Sequence, residues 1–341
     1  VTGVQTCALP ILMVRFGIVG TNWITEKLIN AGSMCEDFQL NAVYSRTEEK
    51  GREFAEKYKV ENIYTDLLEM AKSGMIDAVY IASPNSFHYE QSKLFLENKI
   101  AVLCEKPLSS NSFETNDLIK TAKENNTLLM EAMKIPHVPN YRSVFENLYK
   151  IGKVRRFIGS YCQYSSRYDK YKTGEYTNTF DPKFSNGSLL DIGVYPLYAI
   201  VSMFGRPNNI KASGVLLESG VDGEGSMILE YNDMQANVIF SKITDSYNPS
   251  EIQGEQGSIL INHISEIREA KIIYRDGTEE ILSEVQEDNT MYYELSHFID
   301  LCKAGEVESP VNNFELTKIV SELMESARKE MGVVYPADSK Y

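Results

Sequence analysis

The sequence predicts an α/β protein of two parts: a doubly wound parallel sheet over residues 13–133, then an α+β domain over residues 134–341 built on a large, mostly antiparallel open sheet. Three observations predict it. The length of 341 residues exceeds one domain at roughly 100–200 residues each. Short apolar runs alternate with amphipathic helical stretches as far as Met133. Beyond Met133 the strand-like runs lengthen and alternate polar with apolar, the pattern of a sheet with one face in the core.

In the first part the apolar runs are Val14–Val19, Leu40–Ser45, Ala78–Ala82, Ile100–Cys104 and Leu128–Ala132. Most show little polar alternation, as strands buried on both faces do. Between them lie helical stretches at Trp23–Ala31, Thr47–Tyr58, Asp66–Ser73, Phe87–Asn98 and Phe113–Asn125, with Gly32 and Gly74 where helix C-caps belong. In the second part, strands are expected at Arg156–Tyr164, Ile210–Glu218, Ser226–Tyr231, Ala236–Lys242 and Ser258–His263. A hairpin follows at Ile272–Leu282, with Asp276-Gly277 as a type I′ turn. Helices near Tyr292–Lys303 and Phe314–Glu330 and a short strand at Val333–Tyr335 close the chain, and the C-terminal helices are placed to pack back on the first part.

Composition narrows the function. The chain is 43% hydrophobic and 24% charged, which excludes a disordered tail, a collagen-like repeat and a disulfide miniprotein. Its net charge of −14 repels phosphate backbones and anionic lipid, so neither nucleic acid nor a membrane is an expected partner. The apolar run Ala8–Val14 contains Pro10 and falls far short of the ~20 residues that span a bilayer. Cys7, Cys35, Cys104, Cys162 and Cys302 are scattered, with no C-x-x-C spacing, and read as free thiols of a reducing, cytoplasmic compartment. The four histidines are equally dispersed, so no metal site is expected. Residues 1–12, VTGVQTCALPIL, lack the basic region and cleavage site of a signal peptide; the expectation is a leftover of cloning or sequence assembly, with Met13 as the true start.

Five segments carry chemistry. Gly17-Ile-Val-Gly20-Thr21-Asn22-Trp23-Ile24-Thr25 joins a strand to a helix, the place where backbone N–H groups of a Rossmann-type fold meet a pyrophosphate. Asn22 and Thr25 stand where the glycine fingerprint has its second and third glycines, so an ordinary βα turn is an equal reading. The second strand ends in Ser45-Arg46, which suits a 2′-phosphate better than the acidic residue of an NAD site; the alternative is a solvated helix start beside Glu48 and Glu49. Ser83-Pro84-Asn85-Ser86-Phe87-His88 lies at the carboxyl end of the strand at 78–82, where ligands bind; Asn85 could contact a ribose or amide, and His88 reads as a helix-start residue more than a chemical group. Cys104-Glu105-Lys106-Pro107 presents a lysine at a strand end, against the alternative of a surface ion pair. Asn186-Gly187-Ser188-Leu-Leu-Asp191-Ile-Gly193-Val-Tyr195-Pro196 opens an apolar helix with Asp191 and Tyr195 four apart on one face, parts suited to proton handling or simply a cap and a buried tyrosine.

In order and approximate spacing these segments resemble the Gfo/Idh/MocA oxidoreductases, from Met13 to the C-terminus, including the turn Ile252-Gln-Gly254-Glu-Gln-Gly257. Many members have His at the position of Tyr195; the Asp-x-Gly-x-Tyr version looks like the branch of dimeric dihydrodiol dehydrogenases and NADP-linked xylose dehydrogenases. The resemblance implies an NADP- or NAD-dependent dehydrogenase or reductase acting on a sugar, polyol or related cyclic alcohol. It makes Tyr195 the general acid/base, Lys106 its electrostatic partner and a nicotinamide-ribose contact, and Asp191 the residue that orients substrate or lysine. It places the dinucleotide along Gly17, Gly20, Thr21, Asn22, Trp23, Ile24, Ser45, Arg46, Ser83, Pro84, Asn85, His88, Glu105 and Lys106. It further implies a cis bond before Pro107 and a homodimer or tetramer formed through the second sheet. The same fold also serves as a catalytically silent nucleotide-sensing co-repressor, and a redox-assisted glycoside cleavage is a third reading; intact Lys106, Asp191 and Tyr195 favour the dehydrogenase. The tyrosine-rich stretch Tyr168, Tyr171, Tyr176, Phe180 is a candidate cover for the substrate or else a loop facing solvent or a partner subunit. Lys134–Tyr141 reads as the crossover between domains and as a candidate lining of the cleft.

Overall fold

A computed structural model describes residues 13–175 and 177–340. The expectations about residues 1–12, Cys7 included, and about Tyr176 lie outside the described residues.

The first part alternates β1 (Val14–Val19), α1 (Trp23–Gly32), β2 (Phe38–Tyr44), α2 (Glu48–Tyr58), β3 (Asn62–Tyr64), α3 (Leu67–Lys72), β4 (Ala78–Ile81), α4 (His88–Glu97), β5 (Ala101–Glu105), α5 (Ser112–Asn125) and β6 (Leu129–Ala132). The strands form one six-stranded sheet in the order β3-β2-β1-β4-β5-β6, parallel throughout. The order reverses between β1 and β4, and in such sheets the crevice at that switch point takes the ligand. The apolar runs earn their burial on both faces: Phe16, Ile18, Tyr80 and Leu103 meet one core, Val79, Ile81, Val102 and Cys104 the other.

The second part runs α6 (Pro139–Glu146), β7 (Val154–Cys162), α7 (Ser166–Lys172), a π-helical segment (Leu189–Gly193), α8 (Val194–Phe204), β8 (Asn209–Leu216), β9 (Asp222–Glu230), β10 (Gln235–Ser241), β11 (Ser250–Gly254), β12 (Gly257–Asn262), β13 (Glu269–Tyr274), β14 (Glu279–Ile281), α9 (Met291–Ala304) and α10 (Phe314–Met331). Its eight-stranded sheet has the order β14-β13-β12-β11-β7-β10-β9-β8, antiparallel except that β7 and β10 run parallel. Alternation decides the faces. In β10, Ala236, Val238 and Phe240 join the core with α8, while Ile239 points away from it.

Three local expectations need correction. Gly32 is the last residue of α1 rather than its cap; a Cβ there would lie 2.5 Å from the Phe38 ring, so the glycine serves close packing. Asp276-Gly277 is not a type I′ turn: only Gly277 has positive φ (85°), and Tyr274 N donates to Thr278 O, which makes a three-residue loop. Val333–Tyr335 forms no strand, because Arg328 binds Asp338 at 2.9 and 3.0 Å and folds this tail back over α10. Among the described residues one stretch, Pro182–Phe204, is long and apolar enough by composition to cross a bilayer, although 72% of its apolar window is buried inside the fold.

α9 returns to the first sheet. Its Met291, Leu295 and Phe298 join the core of β1 and α1, with the Phe298 and Phe16 rings 5.9 Å apart. Phe298 is fully buried, so Phe298→Ala is expected to cost about 3–5 kcal/mol in urea unfolding. A loss below about 1 kcal/mol would show that α9 is not part of that core.

Candidate active site

The turn after β1 is shaped by Gly20. Its φ is 108°, and a Cβ would lie 2.7 Å from the Ala82 carbonyl oxygen at the end of β4, so no other residue fits without displacing the backbone. Asn22 then caps α1: its Oδ1 accepts from Ile24 N (3.0 Å) and Thr25 N (3.3 Å), and its Nδ2 donates to Ala82 O (2.7 Å). Thr25 Oγ1 donates to Gly20 O at 2.8 Å. The two departures from the glycine fingerprint therefore fix the turn against β4. Gly17 has a different task from the one expected. It lies within β1, its Cα facing Met70 Cε and Ile76, and packs the sheet against α3 instead of approaching a phosphate.

A cleft of about 550 Å³ opens beside this turn, between the carboxyl ends of β4 and β5 and the second sheet. Of the expected residues, Asn22, Trp23, Ile24, Ser83, Pro84, Asn85, His88, Glu105, Lys106, Asp191 and Tyr195 line it. Gly20, Thr21, Ser45 and Arg46 are not among its walls; Ser45 is buried at the end of β2, and Arg46 is exposed. The turn, its positive helix end and the steric need for glycine fit a dinucleotide phosphate.

Two residues expected to contact the ligand also hold the cleft walls together. Asn85 Nδ2 donates to Ser185 O (2.9 Å) and Asn186 Oδ1 (3.0 Å), tying the loop after β4 to the segment before Asp191. His88 is buried, with Nδ1 2.8 Å from Pro107 O and Nε2 2.8 Å from Ser83 O, so its ring joins two loops rather than meeting a ligand. Burial lowers its pKa against the pull of those two carbonyls. The Ser83 hydroxyl donates to Gln91 Oε1 at 2.7 Å.

The reactive end lies at the floor of the cleft. Lys106 Nζ, just beyond β5, donates to Asp191 O at 2.6 Å and Asp191 Oδ1 at 3.1 Å, and lies 4.9 Å from the centre of the Tyr195 ring. The Lys106–Pro107 bond is cis. A residue that sequence reasoning missed, Lys242, binds the other Asp191 oxygen, Oδ2. Its signal was faint: the alternation of β10 breaks into two successive buried polar residues, Ser241 and Lys242, at the strand end. Also missed was Tyr161, whose ring centre is 5.7 Å from that of Tyr195; Lys134, from the segment expected at the crossover and cleft, lies 6.0 Å from the Tyr195 ring and is paired with Glu266 at 2.7 Å.

These contacts set the protonation states. Burial alone would raise the Asp191 carboxyl, but the Lys242 and Lys106 ammoniums hold it well below the usual carboxylate range. Burial opposes the Lys106 charge, yet Tyr195, Asp191 and Glu105 hold its pKa well above that of a free lysine. Burial pushes the Tyr195 phenol up, and Lys106 is the main group pulling it back. Glu105 is raised by burial against Lys106 and the hydrogen bond donated by Tyr80. The result is a carboxylate and an ammonium that stay charged, beside a phenol held in its neutral form by burial.

Asp222 supports the segment that carries Asp191. It is fully buried, its Oδ2 accepts from Leu189 N at 2.6 Å, and its Oδ1 lies against the Gly187 Cα, where φ is 148°.

This arrangement, a dinucleotide-shaped turn opening on a lysine, a carboxylate and a tyrosine, defines an oxidoreductase with a nicotinamide cofactor. The NAD-binding Rossmann model of the GFO_IDH_MocA oxidoreductases matches residues 14–133, and the C-terminal domain model of the same family matches residues 149–260. The chain belongs to the Gfo/Idh/MocA family. It is 50% identical to the scyllo-inositol 2-dehydrogenase (NADP(+)) IolU of Bacillus subtilis (strain 168), over 96% of this chain and 99% of the relative. It is 30% identical to the trans-1,2-dihydrobenzene-1,2-diol dehydrogenase of Xenopus laevis, over 94% of this chain and 99% of that one. Among solved structures, the 3-ketoreductase KijD10 of Actinomadura kijaniata, in complex with NADP and TDP-benzene, shares the fold with a TM-score of 0.81 at 22% identity, over 95% of this chain and 99% of that chain.

Burial raises the Asp222 carboxyl to about 7 against the pull of Leu189 N–H. Between about pH 4 and 7 the folded chain therefore holds a proton here that the unfolded chain has lost, and this group's contribution to stability falls as pH rises through that window. Asp222→Asn removes that dependence. Its melting temperature relative to the unsubstituted protein is expected to climb from pH 5 to pH 8; a difference that stays constant with pH would contradict the assignment.

Proposed function

We propose that the protein is an NADP-preferring dehydrogenase of a polyol, in particular a cyclic one, with Tyr195 as the group that exchanges the proton. The observation that carries this reading is the convergence of Lys106, Asp191 and Tyr195 in a cleft that Asn22, Trp23 and Ile24 of the α1 turn also line. The 50% identity to a relative named an NADP(+)-linked scyllo-inositol dehydrogenase supports the substrate class and the cofactor. Ser45 and Arg46, at the end of β2, are the residues assigned to a 2′-phosphate.

The bound nicotinamide supplies hydride exchange with the carbon that bears the substrate oxygen. Tyr195 takes the hydroxyl proton as that carbon is oxidised and returns it to the carbonyl oxygen in the reverse direction. Lys106, 4.9 Å from the ring centre, favours the phenolate through its charge and keeps that charge because Asp191 holds it. Asp191 keeps 32% of its side-chain surface open to the cleft and can accept from a neighbouring substrate hydroxyl, which suits a substrate with adjacent oxygens. As a carboxylate bound by two ammoniums it is a poor base, which leaves the proton to Tyr195.

The open face of the second sheet, with Ile228 and Ile239 exposed, is assigned to a homodimer or tetramer, and the free thiols of Cys35, Cys104, Cys162 and Cys302 fit a reducing, cytoplasmic compartment. Lys106→Met and Tyr195→Phe are each expected to lower NADP-linked turnover of scyllo-inositol and related cyclic polyols at least about a hundredfold. Turnover retained in both variants would refute these roles.

A further inference from the structure

The reaction as assigned needs one lysine, yet a second is built into the site. Lys242 follows β10 and is only 9% exposed. Its backbone is fixed on both sides, Lys242 N donating to Gly223 O and Ser165 N donating to Lys242 O, each at 2.9 Å. Its ammonium reaches across to Asp191 Oδ2, while Lys106 occupies Oδ1 from the other sheet.

We propose that Lys242 is a positioning residue for the redox step: it holds the Asp191 carboxylate in place and supplies the positive charge that lets the neighbouring Tyr195 give up its proton. The inference rests on the reading of Tyr195 as the proton-exchanging group. The groups facing Tyr195 come from every element around it: Glu105 and Lys106 at the end of β5, Lys134 after β6, Tyr161 on β7 and Asp191 one helical turn earlier. Lys134 is turned to Glu266, which also binds Lys27 and Arg268. Lys106 acts on the phenol directly, and Lys242 acts through Asp191, whose negative charge it offsets. Without Lys242 the phenol faces two carboxylates against the single ammonium of Lys106, and the uncompensated carboxylate charge opposes a phenolate.

The test is the pH profile of kcat/KM for NADP-linked oxidation of scyllo-inositol by the full-length protein. The unsubstituted enzyme is expected to rise with pH to a plateau as Tyr195 loses its proton. Lys242→Met removes the charge, and Lys242→Gln keeps a hydrogen-bond donor towards Asp191 without it. Both are expected to move the midpoint up by about one pH unit, a roughly tenfold loss below the midpoint, whereas Lys242→Arg restores it. Lys242→Gln decides the matter if the Met variant does not fold. A midpoint left in place by loss of the charge overturns the proposal, even if the rate falls, because a purely structural ion pair lowers activity without moving the titration. Tyr195→Phe separates the two levels. Survival of the pH-dependent limb in that variant overturns the reading of Tyr195 and the inference with it. Loss of the limb there, with an unmoved midpoint in Lys242→Gln, overturns the role of Lys242 alone.

Discussion

Asp191 is a point at which the two sheets are joined by charge. One of its oxygens is bound by Lys106 from the end of a parallel strand, the other by Lys242 from the end of a strand in the second sheet. Two ammoniums and a carboxylate taken out of water are costly unless each finds a partner, so the ends of β5 and β10 and the turn bearing Asp191 are held in one arrangement. The turn is π-helical from Leu189 to Gly193 before α8 begins at Val194, and such wide turns occur often at functional sites. Tyr195 follows one turn after Asp191, so fixing the carboxylate also fixes the phenol.

The surrounding polar groups brace this junction. Asn85 and His88 use their hydrogen-bonding capacity on backbone and amide groups of three loops, which holds the cleft walls in register. Beneath the segment bearing Asp191, Asp222 accepts from Leu189 N, and the Tyr335 hydroxyl of the C-terminal tail donates to Asn186 O at 2.9 Å. That tail is itself pinned by the buried Arg328, whose guanidinium stacks 4.1 Å from the centre of the Tyr335 ring. Residues distant in the chain thus define the position of a few atoms.

The parallel sheet is legible because strands buried on both faces are written as continuous apolar runs, and its helices because their polar faces repeat on the helical period. β3, only three residues and with Asn62 in it, carries too little apolar signal to separate from a loop. β11 is obscured by its polar residues, since only Ile252 of Ser250–Gly254 points into the core as a large apolar side chain. Lys106, Asp191 and Tyr195 stand in recognisable motifs. Lys242 does not, because its meaning depends on the parallel pairing of β7 with β10, a tertiary fact. The same limit explains the bracing bonds of Asn85 and His88 and the packing of Gly17, whose partners are visible only in three dimensions.

The account places a dinucleotide along the cleft from the α1 turn to Lys106. Trp23, the single tryptophan, lies in that turn and is 66% exposed. Titrating its fluorescence with NADPH and NADH reads the site directly. Saturable quenching with energy transfer to the reduced nicotinamide, tighter for NADPH than for NADH, is the expected result. No change with either nucleotide would contradict the placement of the cofactor in this cleft.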